Sequence, residues 1–282
     1  MTKYVKSQEA LPSNLHLWDP YPTQTAINET RVMEFFPVSS IENSDTVTFT
    51  IPAMQKCMLD SVEIVTELRV LTANNENPAV HNNVSTAPHL AAALWRNVNV
   101  SIGNKSLTQS FDNSYAIFKF WDSVLHNQEG TKTFLRKREG VLLDACGSKA
   151  HSENVVYFPV APGAEAPVPE VVNRQGRHRA ERIQQGRKVC LISDFNVALF
   201  NQSKLLPSNL ELSVHLTKNY SEFILLSAAN NTNKIVFDRV SLRCTFQRPN
   251  EMVLSLIEER LARENAIYHS DKKMLTFHSQ TE

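Results

Sequence analysis

Nine histidines, four cysteines and 29 acidic side chains are the groups with which this 282-residue chain could do chemistry. Metal binding asks for imidazoles at one- or three-residue intervals, so that two of them converge on one ion. None of the nine, His81, His89, His126, His151, His178, His215, His269 and His278 among them, stands in a His-x-His or His-x-x-x-His pattern. The tight His-x-His with a nearby Glu that a cupin-type site requires is missing. His215 lies between Val214 and Leu216 in an alternating run and is expected to face away from them. Cys57, Cys146, Cys190 and Cys244 are far apart, with no Cys-x-x-Cys pair, so they read as reduced thiols of an intracellular protein rather than zinc ligands. Nucleophilic catalysis has no Gly-x-Ser-x-Gly elbow to use, and seven glycines form neither Gly-x-Gly-x-x-Gly nor Gly-Lys-Ser/Thr. Glu258 and Glu259 fall on the polar face of a helical pattern. Glu63 and Glu67 lie in a strand pattern, where Glu67 is placed to pair with Arg69. The expectation is a protein with no catalytic residue, no metal and no cofactor.

One cluster has a different chemistry. Arg174, Arg177, His178, Arg179, Arg182, Arg187 and Lys188 concentrate positive charge in a Pro- and Gly-flanked stretch, with Glu181 the only offset. Such a stretch can neutralise phosphates, but it lacks the interleaved aromatics that stack on bases. It reads either as a solvated loop or subunit contact, or as inward-facing charge that meets a nucleic acid. The chain as a whole is neutral, with a pI near 7.1, which argues against nucleic acid or an anionic membrane as a partner of the entire surface.

The elements that would position these groups are organised around Leu90 to Asn127. Val98, Val100 and Ile102 alternate with Asn97, Asn99 and Ser101 as in a half-buried strand. Gly103-Asn104 makes a turn, Ser106 to Gln109 leads back, and Asp112, Asn113 or Ser114 caps a helix. On that helix Ile117, Phe118, Trp121, Val124 and Leu125 share one face, which reads as a packing device. Upstream, residues 1–30 form a polar, proline-punctuated arm anchored by Leu15, Leu17, Trp18 and Tyr21, with Trp18 and Tyr21 as candidate subunit contacts. Strands follow at Arg31 to Val38, Thr46 to Ile51 and Leu59 to Leu71, then a polar loop from Asn74 to Pro88. Residues 147–186, broken by Pro159, Pro162, Pro167 and Pro169, read as a mobile insertion. Further strands are expected at Lys188 to Asp194, Asn209 to Lys218, Tyr220 to Ser227 and Lys234 to Arg248. The last changes phase between Phe237 and Val240, the mark of a bulge. Pro249 opens a helix with Val253, Leu254, Ile257 and Leu261 on one stripe, and Lys273 to His278 is a final strand.

Eight or more short strands with two or three helices in the connections define the fold class as all-β, an antiparallel jelly-roll sandwich. The domain reading is an arm over 1–30, a jelly roll over 31–248 and a linking helix with a terminal strand over 249–282. No apolar leader and no run of ~20 apolar residues is visible, so neither secretion nor a membrane span is expected.

The succession LWDPYPTQTAINETRVMEFFPVSS, TVTFTIPA, LWRNVNVSIGNKSL, NSYAIFKFWDSVL and KIVFDRVSLRCTFQRPN is similar to the double jelly-roll major capsid proteins of Polinton (Maverick) elements and adintoviruses. Asn97 to Ile102, Tyr115 and Ile235 to Phe246 occupy the places of that family's hairpin, Tyr-bearing helix and closing strand. The resemblance implies a structural capsid subunit located in the virion and assembled inside the host cell. Its implied partners are further copies of itself, as a trimer, other capsid proteins, and a packaged genome met through 174–188. The departure is length: the family carries two rolls and this chain has room for one. Residues 250–264 then stand where the linking helix would, and Lys273 to His278 where a second roll would start. The alternative reading is a non-catalytic jelly-roll module that binds carbohydrate or another ligand, which requires exposed aromatics on a sheet face.

Overall fold

The computed structural model describes residues 24–78, 84–103, 105–108, 114–125, 134, 138–143, 174–207, 209–227, 233–269 and 274–277. Trp18 and Tyr21, and most of the 147–186 segment, lie outside these residues. In chain order the elements are β1 (Ile27–Phe35), β2 (Thr46–Ile51), β3 (Met58–Leu71), β4 (Val84–Thr86), α1 (Leu90–Ala93), β5 (Trp95–Ile102), β6 (Lys105–Ser106) and α2 (Ser114–Leu125). There follow α3 (Arg174–Ile183), β7 (Val189–Asp194), β8 (Leu212–Lys218), α4 (Ser221–Ile224), β9 (Leu225–Ser227), β10 (Lys234–Pro249), α5 (Glu251–Arg263), β11 (Ala266–His269) and β12 (Met274–Phe277).

Two four-stranded sheets carry the fold, ordered β1-β10-β3-β7 and β2-β8-β5-β6, with every pairing antiparallel. Successive long strands cross from one sheet to the other, except at the β5–β6 hairpin, whose turn uses Gly103 at φ +53°. The first and last of these eight strands lie side by side. That connectivity is a jelly roll. Short pairs β4–β9 and β11–β12 are appended to it.

Alternation along the strands explains why the sheets face each other. Val47, Phe49 and Ile51 of β2 are fully buried while the threonines between them are half-buried. Ile64, Leu68 and Val70 of β3 meet Val240, Leu242 and Cys244 of β10 in the same layer. Trp95 opens β5 with its ring 5.5 Å from that of Phe237. The register of β10 against β3 slips between Phe237 and Arg239, where the phase change in the sequence lies. On the outer side of the β1-β10-β3-β7 sheet the residues of opposite parity are charged. Arg243 binds Glu63, Arg239 binds Glu34, and Arg69 makes a bidentate pair with Asp238. Cross-strand neighbours of opposite sign account for these pairs.

Several elements differ from the sequence reading. The stretch from Arg174 is not a loop but helix α3, because the prolines that break helices all lie before it. Tyr220 to Ser227 begins as the short helix α4 and extends only from Leu225. The return strand β6 has two residues. Glu67 pairs with Lys188 at 3.2 Å, while Arg69 turns to Asp238. His215 is half-buried, with Nδ1 3.2 Å from the Thr48 hydroxyl on the neighbouring strand.

Candidate interaction surface

Helix α2 is mounted the opposite way from its amphipathic pattern. Its buried residues are Ser114, Tyr115, Ala116, Lys119 and Ser123. Ile117, Phe118, Trp121 and Leu125 are 50–68% exposed. At 100° per residue these four fall within one 100° sector, and Tyr115, Ala116, Lys119 and Ser123 occupy the sector opposite. The expectation that the apolar face packs the core is therefore corrected: small and polar side chains face inward.

A polar pin holds the helix in this orientation. The Lys119 ammonium donates to the Asp194 carbonyl at the end of β7, 2.8 Å away, and pairs with Glu139 Oε1 at 3.3 Å. The same Glu139 oxygen accepts the Asp194 N–H at 3.1 Å. Glu139 Oε2 lies 3.5 Å from Nε2 of His89, whose Nδ1 accepts the Ala92 N–H and so caps α1. Gly140 follows at φ +70°, where an added Cβ would sit 3.2 Å from Leu90 Cβ. Burial, and after it the Lys119 charge, push the His89 imidazole down to about 3, so it is neutral. Burial pushes the Lys119 ammonium down, but Tyr115, Glu139 and Asp194 outweigh it and leave its pKa raised. Burial likewise raises the Tyr115 phenol. A carboxylate, an ammonium and an imidazole within reach of one another resemble catalytic equipment. They are all at least nine-tenths buried, and the cleft beside α2 is lined by other side chains. The cluster joins α1, α2, the Arg138–Leu143 stretch and β7. Spacing gave no sign of it, because its members are 30, 20 and 55 residues apart.

That cleft, of about 350 Å³, lies between α2, β5 and the segment after β7, with Val98, Thr108, Tyr115, Phe118, Val197 and Asn201 on its walls. A second apolar area occurs at the other side of the sandwich, where Val32 on β1 and Phe36 and Val38 just beyond it are 58–76% exposed. Arg239 lies 5.2 Å over the Phe36 ring. Met252 and Leu256 also project outward, from α5.

The basic cluster is largely engaged within the fold. Arg179 is buried and donates to the Leu142 carbonyl, so it is withdrawn from any phosphate. Arg177 pairs with Glu181 at 3.0 Å, and Arg187 donates to the Glu181 carbonyl. Lys188 meets Glu67 and Asp238. Arg182 is half-buried, which lowers its pKa. Arg174 starts α3, and its side chain is outside those described. Among the described residues no group of three or more His, Cys, Asp or Glu is arranged to hold a metal, and no helix is long and apolar enough to cross a membrane.

No protein-family model and no curated protein matches the chain. Solved structures match it in fold. A chain of the Sputnik virophage cryo-EM structure superposes with a TM-score of 0.55 at 15% identity, over 88% of this chain and 53% of that one. The PBCV-1 virus capsid gives a TM-score of 0.49 at 14% identity, covering 89% of this chain and 48% of that one. For the mavirus major capsid protein the values are 0.47 and 10%, with coverage of 96% and 56%. At such identities the likeness to the Sputnik chain speaks for the jelly-roll fold. The chain spans about half the length of these proteins.

Proposed function

We propose that this chain is a structural capsid subunit that acts by self-association, without catalysis. The observation that carries the reading is the inverted helix α2, which turns two aromatic and two aliphatic side chains to the outside while a polar pin keeps it there. Contiguous exposed apolar stripes of this kind mark protein interfaces. The fold supports it, since a jelly roll whose two four-stranded sheets share one buried core is a rigid building block whose flanks can be tiled. The enclosure of the only buried ionic cluster among the described residues speaks against an active site there. A sugar-binding module would present its aromatics on a sheet face, whereas Phe118 and Trp121 are on a helix.

The finer parts of the reading rest on the resemblance to the Polinton and adintovirus capsid proteins: a trimer, assembly with other capsid proteins and a place in the virion; Trp18 and Tyr21 as contacts rest on the apolar anchors of the N-terminal arm. Contact with a packaged genome through 174–188 rests on the exposed side chains of Arg177, Arg187 and Lys188, each of which would have to exchange an internal partner for phosphate. Light scattering on the purified chain tests the core of the proposal. A stable mass at an integral multiple of 31.9 kDa, or larger particles, is expected. A monomer at all accessible concentrations would overturn it.

A further inference from the structure

The sandwich has two lateral flanks, and they differ. One is formed by β1 and β2, the terminal strands of their sheets, which lie beside each other. The other is formed by β6 and β7, the opposite terminal strands, and α2 lies along it through the Lys119–Asp194 contact and the cleft shared with β5. The α2 flank exposes the stripe Ile117, Phe118, Trp121 and Leu125. The β1 flank exposes Val32, Phe36 and Val38; Val32 and Phe36 point to the same side as Glu34, which lies between them and pairs with Arg239, and Val38 follows at a bend. β1 also has no strand partner on its outer edge among the described residues, an arrangement open to pairing.

Resting on the self-association reading, we infer that the α2 flank of one copy seats the β1 flank of a second copy. Two observations select that occupant. The exposed fractions amount to on the order of 500 Å² of apolar surface on the α2 flank and roughly 350 Å² on the β1 flank. Joined, they provide about 850 Å², close to the apolar part of a standard interface of about 1,600 Å². The two areas are also different surfaces at opposite sides of one body. A contact between unlike surfaces is head-to-tail, and it propagates until the rotation closes a ring, whereas a two-fold dimer would use one patch twice. The outer backbone of β1 and the cleft at Phe118 and Val98 bring an edge and a groove to the same junction.

Single variants of each flank, mixed, test this directly by light scattering on the full chain. Trp121→Glu disables one flank and Val38→Glu the other; both sites are exposed, and circular dichroism verifies folding. Phe118→Ser and Val32→Ser serve as a second, milder pair. Each variant alone is expected to run as a monomer. The equimolar mixture is expected to give a heterodimer, at twice 31.9 kDa and no larger, because one intact flank remains on each partner. An oligomer unaffected by either variant, or variants that stay monomeric when mixed, would overturn the pairing. So would loss of the oligomer on deleting residues 1–23 with Trp121→Glu still assembling, which would assign the contact to the N-terminal arm. Failure of the underlying reading is distinguishable, because the unmodified chain would then itself be a monomer.

Discussion

His89 shows how burial sets both charge and stability at one residue. Its imidazole is held near 3 in the folded chain against about 6.5 when unfolded. Below 6.5 the unfolded state takes up the proton first, so the stabilisation is complete above that pH and is lost as pH falls towards 3. The contribution is on the order of 5 kcal/mol across the window. His89→Asn keeps an acceptor for the Ala92 N–H and removes the titration. Urea denaturation from pH 3 to 7 is expected to show a shallower decline for the variant than for the parent, and parallel profiles would refute the assignment. Its neighbour Lys119 tests the pin itself. Lys119→Met leaves the buried Glu139 carboxylate without its ammonium partner and is expected to cost about 3–5 kcal/mol, with Lys119→Met/Glu139→Gln costing less than the two single changes added. Strict additivity in a double-mutant cycle would show that the two do not act as a unit. Neither effect is visible as a motif, since the three groups meet only after the chain has folded.

Helix α2 separates what a pattern says from where water is. The spacing of Ile117, Phe118, Trp121 and Leu125 identifies a helix and its apolar face, and both are real. Facing the core is a further assumption, true when a chain's only apolar environment is its own interior. The inward side instead carries Ala116 and Ser123, both small and buried, and that predicts an inversion of the usual mutational pattern. Trp121→Ser is expected to change the monomer's stability by less than about 0.5 kcal/mol, whereas Ala116→Leu, adding apolar bulk to the same helix, is expected to cost about 1–3 kcal/mol. Thermal melts of the two variants check it, and the reverse order would place the helix the other way round. Strands were far more legible than this helix. Val47, Phe49 and Ile51, or Leu212, Val214 and Leu216, are buried as their alternation requires, because a sheet with one covered face has a single option. The bulge in β10 was legible for the same reason. Helix α3 was obscured by the prolines upstream of it, and its arginines read as free charge because their partners Glu181, Glu67, Asp238 and the Leu142 carbonyl are distributed over the fold.

At the scale of the molecule the two kinds of surface have different uses. The outer side of the β1-β10-β3-β7 sheet is covered by ion pairs that satisfy one another, and surface pairs of this kind add little to stability or association. The α2 flank exposes an uninterrupted apolar stripe, and the β1 flank sets Val32, Phe36 and Val38 around the Glu34–Arg239 pair. Burial of apolar area is barely screened by salt, while contacts between exposed charges weaken within about 10 Å of screening length at 0.1 M ionic strength. If the flanks hold copies together, the solution mass is expected to stay constant from low to high sodium chloride and to shift towards larger species in sulfate, which strengthens effective apolar burial. Dissociation as sodium chloride rises would instead assign assembly to charge, with Arg177, Arg187 and Lys188 the first residues to substitute. The two outcomes also bear on the genome. An assembly that tolerates salt, with polyanion binding that does not, would place shell formation and nucleic-acid contact on separate surfaces of one jelly roll.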